Sequence, residues 1–71
     1  MNLRSAQEEV EYTIQRIDAE DEELISFLFS LGCYSGEPIT VIRHMKGGSV
    51  ISVKDGRYSI DNQLAEAIVV A

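Results

Sequence analysis

Asp21-Glu22-Glu23-Leu24-Ile25-Ser26-Phe27-Leu28-Phe29-Ser30-Leu31-Gly32-Cys33-Tyr34-Ser35-Gly36-Glu37-Pro38-Ile39-Thr40-Val41 decides the fold of this chain. In order it reads as an acidic helix start, an apolar helix, a glycine stop, a turn and a strand. Leu24, Phe27, Leu28 and Leu31 recur at i, i+3, i+4 and i+7, one face of a 3.6-residue helix that must press on a core. Acids at positions 20 to 23 set negative charge where a helix N-terminus is partly positive, with Asp18 or Asp21 as cap. Gly32 supplies the left-handed residue that ends such a helix.

Outside this segment the pattern is that of short strands. Val10, Tyr12 and Ile14 alternate inward against Glu11, Thr13 and Gln15, and Ile17 breaks the alternation, which predicts a bulge or a strand end before the helix. Residues 1–8 have no periodicity and are expected to be loose, with Leu3 able to tuck against the body. After the turn at residues 34–37, Pro38 begins a second strand. Ile39, Val41 and Arg43 share one side of it, and Thr40, Ile42 and His44 the other. Met45-Lys46-Gly47-Gly48-Ser49 is a glycine-rich loop leading into a third strand through Val50, Ile51 and Val53. Asp55-Gly56 reads as a two-residue hairpin into Tyr58 and Ile60. Asp61–Glu66 looks like one helical turn capped by Asp61 or Asn62, and Ala67-Ile68-Val69-Val70 like a fifth strand. The predicted fold is mainly β: a small SH3-like barrel of about five strands, closed to remove its edges, with one helix inserted between strands 1 and 2.

The same residues carry a family resemblance. Leu28-x-x-Leu31-Gly32-x-x-x-Gly36-x-x-Ile39-x-Val41, a hairpin, and then Ala65-x-x-Ile68-x-Val70 resemble the FeoA family of small cytosolic bacterial proteins, over roughly Tyr12 to Val70. The resemblance implies an SH3-like barrel associated with the ferrous iron transporter FeoB, and a partner in that transporter's cytosolic, GTPase-bearing portion. The chain departs from the family pattern in three places. It has no glycine ahead of Tyr12, Lys46-Gly47-Gly48-Ser49 where a proline is common, and Asp61 where a basic residue is common. The resemblance is therefore carried only onto the helix and turn positions. It extends also to the C-terminal SH3-like domain of iron-dependent repressors.

Size and charge narrow the function classes. A chain of 71 residues is one domain, near the size at which only ~60% of the unfolded surface can be buried. No apolar run approaches the ~20 residues of a membrane-spanning helix, and the start shows no secretory core, so a cytosolic location is expected. Six Lys and Arg against twelve Asp and Glu, a net charge of −6, disfavour nucleic acid and anionic membranes and suit a basic partner or a cation.

The candidate chemistry is thin. Cys33 and His44, the one cysteine and the one histidine, cannot furnish a tight transition-metal site. Cys33 reads as a small buried residue and His44 as a solvent-facing one. Asp18, Glu20, Asp21, Glu22 and Glu23 could hold a hard cation weakly, and dipole compensation explains them as well. Ser49, His44 and Asp55 lack the strained serine turn of a hydrolase, and Gly47-Gly48-Ser49 lacks the spacing of a phosphate loop. No enzyme, cofactor or metal site is therefore expected. What remains is binding by a monomeric module. Ile25 and Phe29, beside the main helix stripe, are either covered by the barrel or exposed for docking. The candidate partner surface joins them to Tyr34, Ser35, Gly36 and Glu37 and to the loop beginning Met45, Lys46 and Gly47. A direct carrier of ferrous ion is the competing reading.

Overall fold

The computed structural model describes residues 1–71. A 3-10 turn at Leu3–Ser5 is followed by β1 (Glu11–Ile17), α1 (Glu22–Leu31), β2 (Pro38–Met45), β3 (Gly48–Val53), β4 (Gly56–Asp61), α2 (Asn62–Ala67) and β5 (Ile68–Val70). All strands are antiparallel neighbours in one sheet of order β4-β3-β2-β1-β5. The expected mainly-β architecture with a helix between strands 1 and 2 is present. The sheet is not closed, however. β4 and β5 do not pair, and α2 packs between them instead.

β1 serves both sides of the sheet. Its first half pairs with β2 through Glu11, Tyr12 and Thr13, and its second half pairs with β5 through Ile14, Arg16 and Ile17. The register shift between Ile14 and Arg16 is the irregularity expected near Ile17. β2 carries a second shift between Val41 and Arg43. These bends wrap five short strands around a core of Ile14, Ile39, Val41, Ile51, Val53, Ile60, Ile68 and Val70. Branched side chains suit a pleated, buried surface, so this composition makes the sheet and fills it.

Several boundaries differ from the sequence expectation. Residues 1–8 are built into the domain: Leu3 is fully buried, Asn2 bridges to Val69, and the Val70 N–H donates to the Met1 carbonyl at 2.9 Å. Aperiodic sequence here means irregular backbone that still covers the β5 edge. Val10 is exposed and lies outside the strand, because Glu9 adopts a left-handed φ of 65° and redirects the chain just before β1 begins. The β2–β3 hairpin turns tightly at Lys46-Gly47, with Met45 opposite Gly48, so Gly48 and Ser49 belong to β3. A Cβ on Gly48 would run into the Ile60 carbonyl of β4, and that close approach calls for glycine. The β3–β4 turn is Lys54-Asp55 rather than Asp55-Gly56, since Val53 pairs with Gly56 and Lys54 takes the left-handed conformation. At the far end, Asp61 caps α2 by accepting from the Leu64 N–H at 2.8 Å.

Leu3 gives the test of an ordered N-terminus. Leu3→Ala is expected to cost about 2–5 kcal/mol, the range for truncating a fully buried leucine. An exposed residue in a loose tail would cost under about 0.5 kcal/mol. Urea denaturation of the two proteins separates these outcomes.

Candidate docking face

Asp21 starts α1 by accepting from the Glu23 and Leu24 N–H groups at 2.9 and 3.4 Å, and Glu22 and Glu23 add charge to the first turn. Gly32 ends the helix with φ 99°, and the Cys33 N–H returns to the Leu28 carbonyl at 3.1 Å. This is a Schellman stop, in which the residue after the glycine tucks in beside the last turn. Cys33 and Leu28 are accordingly both fully buried in the core. Burial pushes the Cys33 thiol up to about 11.

α1 rests on the core along a stripe that runs most of its length. Leu28 is the one fully buried residue of the helix, and Leu24 and Leu31 are half-buried. Phe27, expected on the core stripe, is instead 46% exposed. The stripe of Leu24, Leu28 and Leu31 faces the body, which leaves both flanks of the helix open. Ile25 is half-buried on the flank that leads to Phe29, four residues on.

Phe29 stacks on Tyr34, with ring centroids 5.5 Å apart and planes at 27°. Both rings stay more than two-fifths exposed. The turn beneath Tyr34 is firmly sewn to β1. The Glu37 N–H donates to the Tyr34 carbonyl at 3.0 Å, the Gly36 N–H to the Ile14 carbonyl at 2.7 Å, and the Ile14 N–H to the Glu37 carbonyl at 2.9 Å. Gly36 holds φ 90°, a conformation that glycine takes freely. Lys54, from the β3–β4 turn, completes the group. Its Nζ donates to Glu37 Oε1 at 2.9 Å and lies 5.9 Å from the Tyr34 ring centroid. The Glu37 hydrogen bond raises the Lys54 ammonium above its ordinary value, against a smaller opposing effect of desolvation.

Ile25, Phe29, Tyr34, Ser35, Gly36, Glu37 and Lys54 thus form one surface. Met45, Lys46 and Gly47 do not join it. Met45 ends β2 and Lys46-Gly47 form the turn after it, at the opposite end of that strand from the Tyr34–Glu37 turn. Lys54 was invisible to sequence reading, because it is 17 residues from Glu37 and only strand pairing brings them together.

His44 also corrects its expectation. It is half-buried and bonded on both ring nitrogens, with Nε2 2.6 Å from the Ala6 carbonyl and Nδ1 3.0 Å from Ser49 Oγ. A carbonyl only accepts, so Nε2 carries a hydrogen and donates to it, and Nδ1 pairs with the fully buried Ser49 hydroxyl, which can either donate or accept. The imidazole therefore serves as a structural tie between β2, β3 and the N-terminal segment. Its position in a strand did not announce this. No three His, Cys, Asp or Glu side chains come together in a way that could hold a metal ion.

The FeoA domain family model matches residues 1–71. The chain belongs to the FeoA family. That family is linked to ferrous iron transport and consists of small accessory SH3-like domains. Among solved structures the chain is similar to an iron uptake regulatory protein, FeoA, with TM-score 0.86 and 24% identity over 100% of this chain and 93% of that one. It is similar also to Stenotrophomonas maltophilia FeoA in complex with zinc, described as an SH3 domain protein, with TM-score 0.89 and 16% identity over 100% and 89% of the two chains. A manganese-dependent transcriptional repressor bound to manganese superposes with TM-score 0.90 and 19% identity, over 100% of this chain and 35% of the repressor. At these identities the structural likenesses speak for the fold. No curated protein matches the chain in sequence. No helix is long and apolar enough to cross a membrane.

Two measurements check these assignments. Ionisation of Cys33 is delayed in the folded state from the ordinary 9.0 to about 11, so the thiol contributes stability below pH 9 that is lost as pH rises toward 11. The loss is about 1.4 kcal/mol per pH unit in that window, and urea denaturation at pH 8 and 10 should show it shrink in Cys33→Ala. Replacing His44 by Ala leaves the Ser49 hydroxyl unpaired and should cost about 1–3 kcal/mol. In the H44A/S49A double variant part of that loss should return, a coupling that a solvent-facing histidine would not show.

Proposed function

We propose that this FeoA-family chain is a monomeric accessory module of ferrous iron uptake that docks on the cytosolic, GTPase-bearing portion of a FeoB-like transporter. Ile25, Phe29, the Tyr34–Glu37 turn and Lys54 form the contact. The observation that carries the reading is the exposed stack of Phe29, on α1, against Tyr34, on a turn pinned to β1. Aromatic side chains held rigid before binding lose little entropy on docking, and such residues dominate binding energy at interfaces. The family's link to ferrous iron transport supplies the partner. Docking would act on the transporter's assembly or nucleotide cycle, with no chemistry performed by this chain.

A second reading is supported by the likeness to a domain that makes up 35% of a manganese-dependent repressor. In that reading the chain is a regulatory barrel acting on a helical partner domain. Its acidic surface turns the same docking face toward protein rather than DNA.

The test is an NMR titration of the isotopically labelled domain with the transporter's purified cytosolic portion, with and without nucleotide. Amide shifts are expected at Ile25, Phe29, Tyr34 and Lys54. Phe29→Ala and Tyr34→Ala should each weaken binding about 10-fold or more, the effect of losing an interface anchor, while unfolding midpoints change little. Absence of shifts with either nucleotide state would overturn the docking reading.

A further inference from the structure

On the opposite flank of α1 lies a groove of about 350 Å³ between the β1–α1 loop and α2. Its floor is apolar, formed by Ala19, Leu24 and Ala67, and its rim carries the carboxylates of Asp18, Glu20, Asp21 and Glu66. The two walls are tied together by the Asp18 N–H, which donates to the Ala67 carbonyl at 2.7 Å, so the groove is preformed. Asp21 spends one oxygen on capping α1. Asp18 and Glu20 form no ion pair.

We infer that this groove receives a Lys or Arg side chain from an extended basic segment of a protein partner, its aliphatic stem along Leu24 and its cationic head among the rim carboxylates. Three observations select this occupant. Four acids line the groove, and no three of them converge to hold an ion. That arrangement suits a large, delocalised cation on an apolar stem better than a bare metal. The chain itself already seats a guanidinium on this rim, since Arg4 Nη1 lies 2.6 Å from Glu66 Oε2. Charge complementarity favours a basic partner, because four carboxylates here face a single arginine within a chain of net charge −6. Phe27, 46% exposed and one turn along α1 from Leu24, extends the apolar surface for residues flanking the inserted side chain.

The inference deepens the docking reading and rests on it for the partner's identity, but its test uses a defined probe. The labelled domain is titrated with acetyl-Leu-Arg-Leu-amide and with its Gln counterpart at 20 and 300 mM NaCl. The Arg peptide is expected to shift the amides of Ala19, Leu24, Gln63 and Ala67. Its affinity should fall about 3-fold or more at the higher salt through screening of exposed charge. A Glu20→Gln/Asp18→Asn variant should bind it several-fold more weakly, while Phe29→Ala binds it as the parent does. The inference is overturned by equal shifts with the Gln peptide, by no shifts, or by an acid variant that binds as the parent does. Calcium reproducing the same shifts, or a concentration series of the domain alone doing so, would give the groove to an ion or to a second copy and overturn it as well. Peptide binding without transporter binding would sink the choice of transporter and leave the groove standing.

Discussion

The fold depends on closing the side of β2 that β1 leaves open. β2 is eight residues long, but β1 pairs only with Pro38, Ile39 and Thr40 before it crosses to β5. The inner edge from Val41 onward would otherwise present unpaired polar backbone next to the core, a costly arrangement. The N-terminal segment meets that need piecemeal. The Glu9 N–H donates to the Val41 carbonyl at 2.8 Å, the Glu8 carboxylate accepts from the His44 N–H at 2.6 Å, and the Ala6 carbonyl accepts from the His44 ring. Glu9 takes a left-handed backbone to make this possible. Leu3 and Ala6 then seal the core from the same segment.

With the edges managed in this way, α1 is spared from covering the sheet. It is anchored by Leu28 and by the Schellman stop at Gly32 and Cys33, and its flanks remain free. A helix held by Leu28, by the half-buried Leu24 and Leu31 and by two well-made ends is positioned without being enclosed. It can therefore carry apolar side chains on both flanks, Ile25 and Phe29 on one and Phe27 on the other, while the core stays dry. The two flanks differ in chemistry. One ends in an aromatic stack beside a Lys54–Glu37 ion pair, and the other opens onto a carboxylate-rimmed groove.

That division gives the functional reading its physical form. The ion pairs are exposed, so each contributes little to stability, and their value lies in shaping the surface. Lys54 holds the turn's acid and lies near the Tyr34 ring. Arg4 occupies one carboxylate of the groove and leaves the others available. A small acidic domain with rigid aromatic residues on one flank and negative charge on the other is suited to dock on a protein surface with a mixed apolar and basic footprint.

The sequence by itself determined the elements that local chemistry controls. The caps to within a choice of two residues, Asp18 or Asp21 and Asp61 or Asn62, Gly32 as a stop, Pro38 as a strand start and the break near Ile17 were all legible, because each is set by residues within a few positions. So were the mainly-β class, from short alternating strands set between turns, and the family, from Leu28-x-x-Leu31-Gly32, Gly36, Ile39-x-Val41 and Ala65-x-x-Ile68-x-Val70. Of the candidate docking face, Ile25, Phe29 and the Tyr34–Glu37 turn were nameable, since apolar residues beside a core stripe stand out in a helical pattern. Tertiary structure alone decided the rest. Helical periodicity tells which residues share a face but not how much sheet lies beneath it, so Phe27 was assigned to a core too small to reach it. Turn chemistry places a hairpin to within a residue, whereas strand register decided that Lys54 and not Gly56 takes the left-handed position. An aperiodic N-terminus carries no signal for a cover whose hydrogen bonds run to residues more than 30 positions away. Through-space pairing likewise joined Lys54 to Tyr34, sent Met45–Gly47 to the opposite end of β2, and turned His44 inward to Ser49.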